Sequence, residues 1–161
     1  RNEFITSLCG HAKGNSLVLF NYVDKQGKPL YDMITKKYPN RKVFYVSGET
    51  DVTIREEIRK ITEESENAII VASYGTFSTG INIRRLHNVI FASPSKSRIR
   101  ILQSIGRQLR KSEYKETAKL FDIADDLTWK SHQNYTLKHF LERVRIYNEE
   151  KFDYKMIAIR Q

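Results

Sequence analysis

The sequence predicts an α/β fold: a parallel sheet with helices on both faces. Two observations predict it. Five short runs are almost continuously apolar: residues 17–20 (LVLF), 43–46 (VFYV), 68–72 (AIIVA), 89–92 (VIFA) and 119–123 (KLFDI). Strands of that character are buried on both faces, which is the condition of a parallel sheet covered by helices. Longer amphipathic stretches separate the runs, and they supply the crossovers that parallel pairing needs.

Each element follows in order. Gly14-Asn15 punctuates the chain before the first strand, residues 17–20. Residues 30–38 have helical character and end at Pro39-Asn40. After the second strand, 43–46, Ser47-Gly48 breaks the chain, and Asp51 or Thr53 caps a helix whose apolar side is Ile54, Ile58 and Ile61. Strands follow at 68–72 and 89–92, then a helix at 98–111 and a fifth strand at 119–123. Residues 131–150 read as one long helix with Leu137, Phe140, Leu141, Val144 and Tyr147 on a packing face, and 152–159 as an edge-like strand. There is no internal repeat and no low-complexity linker. The expectation is one domain over residues 1–161, with 127–161 as an extension packed on it.

The chain has 161 residues and a formal charge of +9, which favours a polyanionic partner. No apolar run is long enough to span a membrane, and no signal-peptide pattern opens the chain. It opens on Arg1 rather than Met, so a fragment or a processed piece is expected. The single cysteine, Cys9, excludes an internal disulfide and suits a reducing, intracellular setting. The four histidines, His11, His87, His132 and His139, have no metal-ligand spacing.

The helix at 98–111 contains the segment LQSIGRQLRKS. At about 100° per residue, Gln103, Gly106, Arg107 and Arg110 share one stripe, while Leu102, Ile105 and Leu109 fall elsewhere and can face the sheet. Glycine inside a helix costs about 1 kcal/mol relative to alanine, so close approach by a ligand or a backbone is a plausible offset. Arginine forks suit phosphate oxygens. A solvated helix face fits the same spacing, and the stripe alone does not decide between them.

Gln-x-x-Gly-Arg-x-x-Arg resembles motif VI of the superfamily 2 helicases, and other segments match in the expected order. VASYGTFSTGINIRRLHNVIFA resembles motif V and SLVLFNYVDKQG resembles motif IV. VFYVSGETDVTIREEI resembles the strand, glycine loop and helix that follow motif IV. The resemblance runs from about residue 15 to 125 and is most similar in wording to phage DNA helicases.

It implies a RecA-like parallel sheet with helices on both faces plus a C-terminal helical extension, as the second of two such domains. ATP would bind in the cleft between the two. Arg110 is then the leading arginine finger, Arg107 its partner on the γ-phosphate, and Gln103 positions the attacking water or a phosphate. Gly80 and Asn82 contact the nucleotide or couple it to the motif V loop; many relatives have Asp where Asn82 stands, which loosens the coupling of motif V to motif VI. Ser47, Gly48, Ser73 and Thr76 offer hydroxyls and N–H groups to a nucleic-acid backbone, with Asn21 and Arg55 as further candidates. For Arg55 a helix salt bridge to Glu56 or Glu57 fits as well. Arg84, Arg85, Lys96, Arg98 and Arg100 form a basic cluster.

The first RecA-like domain of that family carries the P-loop and the acidic Mg2+ motif, and neither occurs in this sequence. Gly27-Lys28 is followed by Pro29, and Tyr22 stands where the first P-loop glycine belongs. Asp122, Asp125 and Asp126 read as strand-end and loop residues, not metal ligands. The resemblance therefore implies ATP and Mg2+ held mainly by another domain of the same protein. It also implies nucleic acid, DNA favoured, as partner and no activity for this piece alone. A non-enzymatic nucleic-acid-binding module and a flavodoxin-like nucleotide enzyme are the competing readings.

Overall fold

The computed structural model describes residues 1–78, 86–92 and 119–123 and the helical positions 141 and 145. Five strands, all parallel, form one sheet: β1 (Ser16–Phe20), β2 (Val43–Val46), β3 (Ile69–Ser73), β4 (Asn88–Phe91) and β5 (Lys119–Asp122), in the spatial order β2-β3-β1-β4-β5. Each apolar run of the sequence became one of these strands, within a residue or two at either end. β1 is central. It pairs with β3 in the register Val18↔Val71 and with β4 in the register Val18↔Ile90.

Helices α1 (Asn2–His11) and α2 (Lys28–Lys37) pack on one face. Ile5, Cys9, Leu30 and Ile34 meet Val18, Phe20, Ile69, Val71 and Ile90 there in one fully buried cluster. Leu17, Leu19, Ile70, Ala72, Val89 and Phe91 alternate with those strand residues and are just as buried, so the sheet is covered on its second face too. The chain runs outward from β1 to β2 and back inward to β3. With the right-handed crossovers that are the rule for parallel strands, this reversal of direction places α3 (Val52–Glu63) on the face opposite α2. The cap of α3 is Asp51, whose carboxylate accepts the Thr53 N–H at 2.9 Å.

Four features go beyond or depart from the sequence reading. Helix α1 carries no capping side chain, and its buried stripe is only Ile5, Thr6 and Cys9. Val23–Gly27, not read as any element in the sequence, forms one wide helical turn that runs into α2. Its tightness comes from Gly27, where a Cβ would stand 2.4 Å from the Phe20 ring. Between the strands read at 68–72 and 89–92 the chain begins with a short helix not read in the sequence, α4 (Tyr74–Ser78), with Tyr74 buried against Phe91 at 5.8 Å. Leu141, expected on the packing stripe of the tail helix, is 40% exposed. The helix at 98–111 and the rest of the tail lie outside the described residues.

The N-terminal end of β1 is held by Asn15. Its amide donates to the carbonyls of Thr62 and Ser65, both at 2.9 Å, and its side-chain oxygen accepts the Ala68 N–H at 2.8 Å. Its main-chain carbonyl accepts the N–H groups of His87 and Asn88. One side chain thus satisfies buried polar groups at the end of α3 and the entry to β3, while its backbone reaches the entry to β4.

Candidate nucleic-acid interface

In a parallel sheet every strand ends on the same side, and the loops beyond those ends are where ligands bind. The register places Phe20 beside Ser73 and Val46 beside Ala72. The segments after β2, β3 and β1 therefore stand side by side in that order: Ser47-Gly48, Ser73 to Thr76, and Asn21-Tyr22. Six of the residues expected at a nucleic-acid track, Asn21, Ser47, Gly48, Arg55, Ser73 and Thr76, share this edge.

Their geometry divides them. Ser47 is 7% exposed, and its Oγ accepts the Glu49 N–H at 3.4 Å. The Ser47 N–H donates to Thr50 Oγ1 at 3.0 Å, which closes the turn. Arg55 reaches back from α3 and donates through Nη2 to the carbonyls of Ser47 at 3.4 Å and Gly48 at 3.2 Å. Arg55 braces this loop. The helix ion pairs weighed for it form at Arg59 instead, with Glu56 and with Glu63 at 2.9 Å. Ser73 Oγ lies 2.7 Å from Thr76 Oγ1 and accepts the Thr76 N–H at 3.3 Å, so Ser73 caps α4. Thr76 is 1% exposed, which leaves its hydroxyl inside the turn. Asn21 is half-buried at the end of β1.

Among the candidate residues of this edge, glycine is what faces outward. Gly48 and Gly75 are both exposed, and a Cβ added to either would meet nothing within 4 Å. Neither has a positive φ. Packing and backbone conformation, which account for Gly14 (φ 94°) and Gly27, do not account for these two. Gly75 escaped the sequence reading; its signal was a second glycine directly after a strand, at the position where Gly48 follows β2.

At the other half of the edge, Arg1 donates to the Ala92 carbonyl through Nη2 at 2.8 Å and to the Ile123 carbonyl at 3.0 Å. Gln26 Nε2 joins it on Ala92 at 3.0 Å. These bonds tie the ends of β4 and β5 to the start of the chain, a link no motif announced. Gly80, Asn82, Gln103, Arg107 and Arg110 lie outside the described residues. Among the described residues no group of three or more His, Cys, Asp or Glu is placed to hold a metal, and no helix is long and apolar enough to cross a membrane.

Sheet, crossovers and loop edge define a RecA-like domain of the superfamily 2 helicase type. Residues 1–112 match the helicase conserved C-terminal domain family, and the chain belongs to it. It is 40% identical over 172 residues to the ATP-dependent DNA helicase uvsW of Enterobacteria phage T4, covering 99% of this chain and 34% of that protein. The crystal structure of T4 UvsW matches with a TM-score of 0.79, over 98% of this chain and 34% of that one. L396 of Acanthamoeba polyphaga mimivirus, which carries the name of an ATP-dependent RNA helicase, is 28% identical over 157 residues, 94% of this chain and 28% of that protein. The second domain of the DEAD-box helicase Mss116p shares the fold at a TM-score of 0.60 and 16% identity, over 78% of this chain and 48% of that one. The chain spans about a third of the length of the curated relatives it matches.

Proposed function

We propose that this chain is the second motor domain of a longer ATP-dependent helicase or translocase that acts on nucleic acid, on DNA in preference to RNA. The observation that carries the reading is the pair of exposed glycines, Gly48 and Gly75, with open space where a Cβ would stand, at the ends of β2 and β3 in a chain of this family. Backbone that nothing else crowds can be approached closely by phosphates, which positions a strand without reading its sequence. The higher identity to a protein named as a DNA helicase supports DNA.

In this proposal Gly48, Ser47, Gly75, Ser73 and Asn21 lie along the strand, and Arg55 acts by holding the Ser47-Gly48 turn. Thr76 supports Ser73 from inside. ATP sits between this domain and a preceding RecA-like domain that supplies the P-loop and holds Mg2+. Arg110 is the arginine finger, with Arg107 beside it, Gln103 positioning water or phosphate, and Gly80 and Asn82 against the nucleotide. Closure and release of the two domains around ATP moves the strand.

The test uses the full-length protein. Arg110→Ala is expected to lower strand-stimulated ATP hydrolysis by about 10³-fold or more while strand affinity stays near wild type. The isolated 161-residue chain is expected to hydrolyse no ATP. Unchanged turnover in the Arg110 variant would point to a nucleic-acid-binding module without motor function. Hydrolysis by the isolated chain would overturn the half-site assignment.

A further inference from the structure

Tyr22 stands apart from the other aromatic side chains placed around this sheet. Phe20, Tyr74 and Phe91 are fully buried, and Tyr45 is half-buried in a stack on Phe20 at 5.8 Å. Tyr22, two residues beyond the end of central β1, is 65% exposed. Single exposed tyrosines are common on protein surfaces and need no explanation by themselves. Its setting distinguishes this one.

The backbone that carries Tyr22 is fixed. The Tyr22 carbonyl accepts the N–H groups of Gln26 at 3.0 Å and Gly27 at 2.9 Å, which closes the wide turn Val23–Gly27. That turn is seated on Phe20 through Gly27, with no room for a Cβ. The turn is tied onward by Gln26 to the end of β4. A large ring is thus held toward solvent on an anchored turn. An aromatic ring loses little conformational entropy on making a contact, and a fixed backbone lowers that cost further. Its position is also specific. Because Phe20 pairs with Ser73, Tyr22 lies beyond the strand that neighbours the Ser73–Gly75 segment, at the end of the row that begins with Gly48.

We propose that Tyr22 is a stacking platform for a base of the single strand that lies along the Gly48–Gly75 row. The proposal rests on the nucleic-acid reading above and deepens it by adding a base contact to a track otherwise made of backbone and small polar side chains. Phosphates face the glycines, and the next base turns onto the Tyr22 ring. Stacking on an aromatic face tolerates any base, so the contact adds affinity without sequence preference. It also favours strands whose bases are unpaired over intact duplex, whose bases are already stacked on one another.

The experiment measures binding of the full-length protein to a fluorescent oligothymidylate and to the same strand with abasic nucleotides, across a salt series. Tyr22→Ala is expected to weaken oligothymidylate binding about tenfold, and Tyr22→Phe to keep wild-type affinity. The slope of affinity against salt is expected to be the same in all three proteins, since no phosphate contact is lost. On the abasic strand, wild type is expected to fall to the level of the alanine variant, with no further loss from the substitution. Equal binding of oligothymidylate by wild type and Tyr22→Ala overturns the stacking role and leaves the nucleic-acid reading standing. A tenfold loss that persists on the abasic strand also overturns it, because the ring would then act through something other than a base. Wild-type protein that binds neither strand overturns the nucleic-acid reading and this inference with it.

Discussion

Gly48 and Gly75 can be judged by what their replacement would do. Alanine fits at both positions without contact to any neighbour within 4 Å and without a left-handed backbone. Gly→Ala at a compatible position stabilises a protein by about 0.4–1 kcal/mol through the unfolded chain. Gly48→Ala is therefore expected to leave the melting temperature unchanged or slightly raised while lowering single-strand affinity. Calorimetry paired with the binding assay checks both halves, and a loss of stability would mean that the glycine serves the fold. Cys9 illustrates the opposite kind of residue. Burial pushes its thiol from the ordinary 9.0 up to about 12, with the Arg41 guanidinium acting weakly against the rise. The folded protein keeps this proton where the unfolded chain gives it up, so the contribution to stability is complete below pH 9 and is lost as pH climbs toward 12. At pH 8 the native thiol is expected to resist thiol-specific reagents that label the denatured chain at once; rapid native labelling would contradict the burial.

At the scale of elements, the strands were legible and the first helix was not, for a physical reason. Residues 17–20, 68–72 and 89–92 are buried on both faces, and 43–46, at the sheet edge, is partly buried, so their composition leaves little choice of structure. Helix α1 needs only Ile5 and Cys9 to face the cluster, and its third buried residue, Thr6, is polar. Thr6 is accommodated because its hydroxyl donates to the Asn2 carbonyl at 2.7 Å, a bond invisible to a hydropathy pattern. Ser73 shows the same limit at the site. A serine after a strand fits a phosphate contact and a helix cap equally well in sequence, and only the Thr76 N–H at 3.3 Å reveals the cap. Arg55 likewise could be read as a ligand or as an ion-pair partner; it is a brace on two carbonyls. Connections between elements rest heavily on Asn15. Asn15→Ala strips partners from buried groups at Thr62, Ser65 and Ala68, and is expected to cost about 2–4 kcal/mol by chemical denaturation. A cost under 1 kcal/mol would show that these groups find other partners.

For the molecule as a whole, the ordered motifs carried the family, and the sheet order carried the placement of the candidate site. What neither pattern nor motif conveyed was how the strand ends are fastened, since Arg1, Gln26, Ala92 and Ile123 are scattered along the chain. The central position of β1 also has a bearing on how the protein is made. A ribosome delivers residues 17–20 ahead of the other four strands of the sheet, yet neither neighbour of β1 is its successor in sequence. Asn15 must wait for Ala68, 53 residues on, and the Lys13 carbonyl for Asn88, 75 residues on. At typical synthesis rates the first of those intervals lasts roughly 3–10 s. For that time the most apolar strand of the domain has no sheet to join, which makes Leu17-Val18-Leu19-Phe20 the stretch of the nascent chain most in need of shelter.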